Sequence, residues 1–289
     1  MMHKLPGTMR LVTYELHRGP RAGLLRDGGV VDVWDALGGE PPEGPTVGAL
    51  LRHRGVQAAE AVGGEPVAAL DDVRLLPPVT DPEKILCIGL NYRSHAEEAG
   101  LDPPETPTFF AKFRNALAAP GAVVPLPAYS RKVDYEAEVA FVIGRRAANV
   151  PEERALDHIA GYTLLNDLSA RDYQFMTPQW LPGKVFDGSA PLGPALVTAD
   201  EAGPPDAIDI SLTLNGETMQ SASTSDLIHS IPALVAHLSM LMTLEPGDLV
   251  ATGTPAGVGS VRQPRVWLKP GDEVVIESPQ LGRLETTLG

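Results

Sequence analysis

Glu136 and Glu138, two positions apart in D-Y-E-A-E-V-A-F-V-I-G, and Asp167, which ends the apolar run G-Y-T-L-L-N-D, are the residues of this chain best suited to hold a metal ion. On a strand, residues i and i+2 leave the same face roughly 7 Å apart at the backbone, near enough for flexible carboxylates to converge on one cation. An arbitrary E-x-E is more often a solvated acidic edge. Here the flanking residues are apolar, and three carboxylates entering an apolar setting are costly without a cation. An all-oxygen set suits Mg2+, Mn2+ or Ca2+ better than zinc.

A second group could move protons. In N-Y-R-S-H-A-E-E-A-G (91–100), Ser94 and Glu97 have capping-box spacing and Gly100 is placed to end a short helix, so His95 and Glu98 share one face. A carboxylate three residues on can orient the imidazole and raise its basicity. A plain capped surface helix has the same spacing, and spacing alone favours it. After Asp167, A-R-D-Y-Q offers Arg171 and Gln174, and P-G-K-V-F-D offers Lys184 at a strand start. A lone lysine is usually solvated, but one opposite a metal can hold a carboxylate or an enolate oxygen. In A-T-G-T-P-A-G-V-G (251–259), the backbone amides, Gly253 among them, and the Thr252 and Thr254 hydroxyls could receive an anionic group. That turn lacks the Gly-Lys-Ser/Thr ending of a phosphate loop. Cys87, inside an apolar run, reads as core.

The elements that must position these groups are mostly strands. Residues 133–143 alternate, with Val133, Tyr135, Ala137, Val139, Phe141 and Ile143 on one side and Asp134, Glu136, Glu138, Ala140 and Val142 on the other. Residues 84–90 and 161–167 read as further strands, and 211–219 as a hairpin turned by Asn215-Gly216. A small β unit opens the chain at 9–16 and 23–33, with turn chemistry at Asp27-Gly28-Gly29, and the Pro/Gly stretch 38–48 excludes helix and central strand. From there to about residue 80 the pattern is weak. The clearest helix spans 231–243, capped by Ser230, with Pro232 early enough to be tolerated.

Composition narrows the partners. The excess of 37 acidic over 23 basic residues gives a net charge of -14, which opposes nucleic acid and anionic membrane surfaces and leaves a cation as the natural partner. One cysteine excludes an intrachain disulfide and suits a reducing compartment, with the cytoplasm as the expectation. No apolar run approaches the length of a membrane helix, and M-M-H-K-L-P-G lacks the apolar core of a secretory signal.

Taken in order, K-I-L-C-I-G-L-N-Y-R-S-H-A-E-E, P-T-F-F-A-K-F, D-Y-E-A-E-V-A-F-V-I-G, L-N-D-L-S-A-R-D-Y-Q, G-K-V-F-D-G-S-A-P-L-G-P and T-G-T-P-A-G-V-G resemble the fumarylacetoacetate hydrolase family, in its bacterial acylpyruvase and hydroxymuconate isomerase-like branch. The resemblance covers roughly residues 75–289. It implies a strand-rich α+β fold, a mixed β-sandwich roll over 76–289 behind a small N-terminal β domain at 1–75, assembled as a homodimer. It implies Mg2+ or Mn2+ on Glu136, Glu138 and Asp167, a catalytic dyad of His95 and Glu98 on a mobile lid, Lys184 over the substrate, and Arg171, Gln174 and Thr254 as active-site polar positions. Val185 stands where many relatives carry serine, Phe113 and Arg114 where some acylpyruvases have proline and serine, and the loop 175–183 is particular to this chain.

The expected reaction is hydrolysis of a carbon–carbon bond in a 2,4-dioxo acid. His95 and Glu98 would activate the water, and Lys184 beside the metal would stabilise the 2-oxo acid enolate that leaves. An isomerase, decarboxylase or hydratase using the same enolate is the rival among enzymes, and a metal-binding scaffold without turnover the rival outside them.

Overall fold

The computed structural model describes residues 9–289; the leading residues 1–8, where the absence of a secretory core was expected, lie outside them. The main sheet is mixed and has twelve strands. Its path runs from the leading strands Gly29–Asp32, Pro20–Arg26 and Arg10–Glu15 through Ala190–Thr198, Ile159–Asn166 and Ala137–Ile143 to Leu249–Ala251, Ile85–Gly89 and Thr108–Lys112. Most neighbours are antiparallel, but Leu249–Ala251 and Ile85–Gly89 pair in parallel, which brings the starts of two distant motifs side by side. A second sheet of five strands contains Asp209–Leu214, Glu217–Ser223, Glu273–Ser278, Gly282–Leu288 and Val123–Val124.

The alternation in 133–143 sorts into two cores. Val133, Tyr135, Ala137, Val139, Phe141 and Ile143 pack with Ile210, Leu212, Val274, Ile276 and Leu284 of the second sheet and with Leu234 and Leu238 of the helix Ile231–Leu241. Ala140 and Val142 face the other way, into a core shared with Leu11, Leu24, Trp34, Leu50, Cys87 and Leu165. The strand Ala137–Ile143 is therefore buried on both faces, which is why its sequence is apolar almost throughout. Cys87 is core, as expected, and fully buried.

Several expected elements are present with shifted limits. The turn at Asp27-Gly28 has φ 50° and 80°, and that at Asn215-Gly216 φ 50° and 83°; both are two-residue hairpins that Asp, Asn and Gly tolerate best. The run 23–33 is thus two strands of one hairpin and not one strand. The stretch 38–48 does not wholly exclude helix, because Thr46 accepts from the Ala49 amide and starts the helix Val47–His53. The helix at 231 has Ser230 as its cap and ends at Leu241, two residues early. Among the described residues no helix is long and apolar enough to cross a membrane.

Candidate active site

Regular pairing of the acid-bearing segment breaks between Val133–Asp134 and Ala137–Ile143. At the break the Glu136 amide donates to the Asn166 side chain (3.2 Å), and the Asp167 amide donates to the Glu136 carbonyl (2.9 Å). Those two bonds bring the chain just after the strand Ile159–Asn166 against Glu136. In consequence Glu136, Glu138 and Asp167 each present a carboxylate oxygen within 4.8 Å of the others, and all three are buried.

Their partners differ. Lys184 Nζ reaches Glu136 Oε2 (2.7 Å) and Asp167 Oδ2 (2.8 Å), and Lys112 Nζ reaches Asp167 Oδ1 (2.6 Å). Arg171 bridges Glu136 Oε1 (2.7 Å) and Asp134 Oδ2 (2.8 Å). Glu138 has no lysine or arginine within ion-pair distance among the described residues; it accepts from the Gly253 amide at 2.9 Å. Burial alone would raise the Glu136 carboxyl, but Lys184 and Arg171 outweigh it and hold it down to about 2. Burial, with Asp167 and Glu136 beside it, pushes the Glu138 carboxyl well above the usual carboxylate range. Burial would lower the Lys184 ammonium, yet Asp167 and Glu136 raise it, so it stays charged.

The charges give a test of whether a metal fits. Four acids, Asp134, Glu136, Glu138 and Asp167, meet three bases, Lys112, Arg171 and Lys184, so that ionising all four acids leaves one negative charge, on Glu138, without a countercharge. A hard divalent cation among three converging oxygens satisfies Glu138, and the donor set is the oxygen-only kind that Mg2+ and Mn2+ take. The residues present fit the ion.

The remaining candidates gather around the same place. Glu136, Glu138, Lys184, Arg171, Gln174, Thr254 and His95 all line one cavity of about 440 Å3. His95 Nδ1 lies 3.3 Å from Glu98 Oε2, and Glu98 Oε1 accepts from the Gly257 amide at 2.9 Å. Their helix, Arg93–Ala99, ends on a left-handed Gly100 (φ 65°) as expected, but it starts at Tyr92 without a side-chain cap. Ser94 is inside it, its amide donating to Asp226, so the capping-box reading is corrected. Gln174 accepts from Arg171 Nη1 (3.0 Å), and Thr254 Oγ1 accepts from Gln220 (2.8 Å). The Gly253 amide and the Thr252 hydroxyl are committed to Glu138 and to the Val139 carbonyl. Lys184 is not at a strand start: it follows one turn of 3-10 helix, Leu181–Gly183, and the next strand begins at Ala190.

Sequence reasoning passed over Lys112, Asp134, Gln220 and Asn91. Lys112 was visible as a lysine closing the apolar run T-F-F-A-K, but its partner is 55 residues away. Asp134 receives the Gly259 amide (2.8 Å), the Ser260 amide (3.0 Å) and Arg171, tying the glycine-rich turn to the segment that carries Glu136 and Glu138. Asn91, just before the helix Arg93–Ala99, does likewise, donating to the Thr252 carbonyl (2.9 Å) and accepting from the His229 amide (2.8 Å).

With that geometry in view, the comparisons with known proteins are specific. Residues 84–289 match the model of the fumarylacetoacetate (FAA) hydrolase C-terminal family. A mitochondrial oxaloacetate tautomerase of Xenopus laevis is 40% identical over 284 residues, covering 96% of this chain and 89% of that protein. The crystal structure of a 5-carboxymethyl-2-hydroxymuconate delta-isomerase from Mycobacterium smegmatis superposes with a TM-score of 0.77 at 32% identity, covering 97% of this chain and 99% of that one. A maleylpyruvate hydrolase from Sphingobium sp. SYK-6, in complex with manganese(II) and pyruvate, superposes with a TM-score of 0.79 at 31% identity, covering 97% and 98%. The cavity lined by Glu136, Glu138, Lys184 and His95 is thus carried on a fold shared with these enzymes, and the chain belongs to the fumarylacetoacetate hydrolase family.

Proposed function

We propose that this chain interconverts the keto and enol forms of a small 2-oxo acid, with one Mg2+ or Mn2+ held by Glu136, Glu138 and Asp167. The observation that carries the reading is that Glu136, Glu138, Lys184 and His95 line one cavity, with Asp167 within 4.8 Å of both glutamates. A divalent cation, when bound, draws electron density from a neighbouring 2-oxo group and acidifies the adjacent C–H. His95, oriented by Glu98, removes that proton from C3, the 2-oxygen takes a proton from water as the enol leaves while the imidazolium gives its own to solvent, and the reverse direction runs these transfers backwards. Lys184, held as an ammonium by Glu136 and Asp167, faces the negative charge that collects on the 2-oxygen. Gln174, whose side-chain oxygen accepts from Arg171, keeps its amide N–H groups to donate to the 1-carboxylate, while Arg171, held by Asp134 and Glu136, positions it. The 40% identity to an oxaloacetate tautomerase over nearly the whole chain supports this choice.

A second reading is hydrolysis of a carbon–carbon bond in a 2,4-dioxo acid, favoured by the His95–Glu98 dyad, which suits water activation equally well. Isomerisation, decarboxylation and hydration pass through the same enolate. The deciding experiment incubates the Mn2+-loaded protein with oxaloacetate in D2O and follows deuterium at C3 by NMR, beside an acylpyruvate assayed for cleavage. Tautomerisation predicts C3 exchange far above the uncatalysed rate, and His95→Ala lowering it by roughly 10²–10⁴-fold with Mn2+ affinity nearly unchanged. Faster cleavage of the acylpyruvate selects hydrolysis, and Mn2+ binding without either reaction selects a scaffold.

Three further proposals accompany this reading. A homodimer is supported by the exposed apolar side chains Leu101, Phe113, Phe175 and Met176, and sedimentation tests it. Division at residues 75 and 76 is supported by role, since every group placed in the site lies beyond residue 84. A reducing compartment, with the cytoplasm first, is supported by the single buried thiol of Cys87.

A further inference from the structure

Lys132 and Arg265 line the same cavity as Glu136, Glu138 and Lys184, and both are exposed. Neither side chain makes a hydrogen bond or ion pair among the described residues. Some exposed cations of this chain sit on acids, as Arg18 does on Asp35, Arg154 on Asp157 and Arg283 on Glu285, while Arg114, Arg131, Arg145 and Lys269 have no side-chain partner among the described residues. Lys132 and Arg265 differ from these four in lining a cavity, and in lining the same one.

Their backbones are held in place. The Leu268 amide donates to the Val133 carbonyl (2.9 Å), the Val266 amide to the Gly259 carbonyl (3.0 Å), and the Gly259 amide to Asp134 (2.8 Å). The Arg171 amide donates to the Lys132 carbonyl (2.9 Å). The segments carrying Lys132 and Arg265 are therefore bonded to each other and to the buried Asp134. The other acid on this side of the cavity, Asp172, is already taken by the Ser130 hydroxyl (2.6 Å) and the Arg131 amide (3.2 Å).

Charge balance says what the pair is for. With all four acids ionised around a bound divalent cation, the three bases and the cation leave one positive charge, and the 1-carboxylate of a 2-oxo acid neutralises it. A second carboxylate on the substrate finds no countercharge inside the cluster. We propose that Lys132 and Arg265 form the subsite for the second carboxylate of a 2-oxo dicarboxylate of the oxaloacetate type, which makes them the residues that select dicarboxylates over monocarboxylates. This inference rests on the 2-oxo acid reading above and deepens it. The cavity, at about 440 Å3, is within the size range of small-molecule sites and has room for both ends of such a substrate.

The test is a binding comparison on the Mn2+-loaded protein, with freshly prepared oxaloacetate and with pyruvate, which shares the 2-oxo acid head and lacks the second carboxylate. The parent protein binds oxaloacetate at least about tenfold more tightly than pyruvate, the scale of a hydrogen-bonded charge at a partly solvated site. Lys132→Gln and Arg265→Gln each weaken oxaloacetate about five- to tenfold and the double variant more, while pyruvate affinity changes less than about twofold. The preference shrinks with added salt, because exposed charges are screened. A parent protein that binds oxaloacetate no more tightly than pyruvate, or binds neither, overturns the subsite whatever its turnover. Variants that change the sedimentation behaviour and leave the ligand preference intact overturn it as well, assigning the two cations to a contact between copies. The expected preference without C3 exchange sinks the tautomerisation reading alone.

Discussion

Glu138 is the carboxylate that separates the cost of the acid cluster from its use. Glu136 and Asp167 are satisfied by Lys184, Arg171 and Lys112 whether or not a cation is present, whereas Glu138 has only the Gly253 amide. A buried carboxylate beside two others and without a cation of its own is a net burden to the folded state. Glu138→Gln keeps the volume and removes the charge, so the metal-free variant is expected to be at least as stable as the parent. The parent should gain about 2.7 kcal/mol from Mn2+ at a hundredfold excess over its dissociation constant, and the variant should lose most of that gain. Thermal unfolding with chelator and with Mn2+ measures both effects; equal Mn2+ shifts in the two proteins would contradict the ligand assignment. The triad was legible in sequence because its members sit at the ends of apolar runs. Lys112 was not, since a lysine is explained only by the acid it meets, and Asp167 lies far along the chain.

At the scale of the elements, periodicity and turn chemistry carried well and local breaks did not. The two faces of 133–143 separate into two cores as the alternation requires, because a period of two is a property of the strand itself. The break at Tyr135 and Glu136 depends instead on Asn166, a partner on another strand, and the 3-10 turn before Lys184 on a loop particular to this chain. The leading hairpins show the same division. Their strands follow from turn residues, but nothing local announces that Asp32, at the end of Gly29–Asp32, ties the unit together. Its side chain caps the helix Val33–Leu37 through the Asp35 amide (2.8 Å) and accepts from Tyr14 (2.6 Å) and from Arg21 Nη2 (3.0 Å). Burial alone would raise this carboxyl, but Arg21 and Tyr14 outweigh it and hold it below the usual carboxylate range. A depressed folded value means stability that is present above the unfolded value of about 3.9 and is lost as pH falls through the folded value. Asp32→Asn is therefore expected to cost about 2–4 kcal/mol at neutral pH, with the deficit shrinking below roughly pH 4. Urea unfolding at neutral and acid pH reads this, and a deficit that does not vary with pH would contradict it.

Under the division proposed at residues 75 and 76, every residue placed in the candidate site lies in the second part, and the question is what the first contributes. Its strand Arg10–Glu15 pairs with Ala190–Thr198 at only two positions, Arg10 with Val197 and Leu11 with Leu196, so the shared hydrogen bonds are few. The packing is larger. Leu11, Leu24, Trp34, Leu50 and Leu51 are almost fully buried in the same core as Cys87, Ala140, Val142, Leu165 and Leu192. Those five side chains each gain about 1.5–3 kcal/mol on burial, and even half of the total rivals the 5–15 kcal/mol by which a whole domain is stable. The leading unit thus covers the face of the main sheet that lies opposite the second sheet and the long helix. A fragment of residues 76–289 keeps every residue placed in the site but uncovers Ala140, Val142 and Leu165. It is expected to bind a hydrophobic dye, to aggregate, and to unfold at least about 10 °C below the full chain, since each kcal/mol lost lowers the midpoint by about 2–4 °C in a protein of this size. Adding residues 1–75 as a separate chain should restore part of the loss. Cooperative unfolding of the fragment within a few degrees of the full chain would show that the two units are independent, and that the shared core contributes little to either.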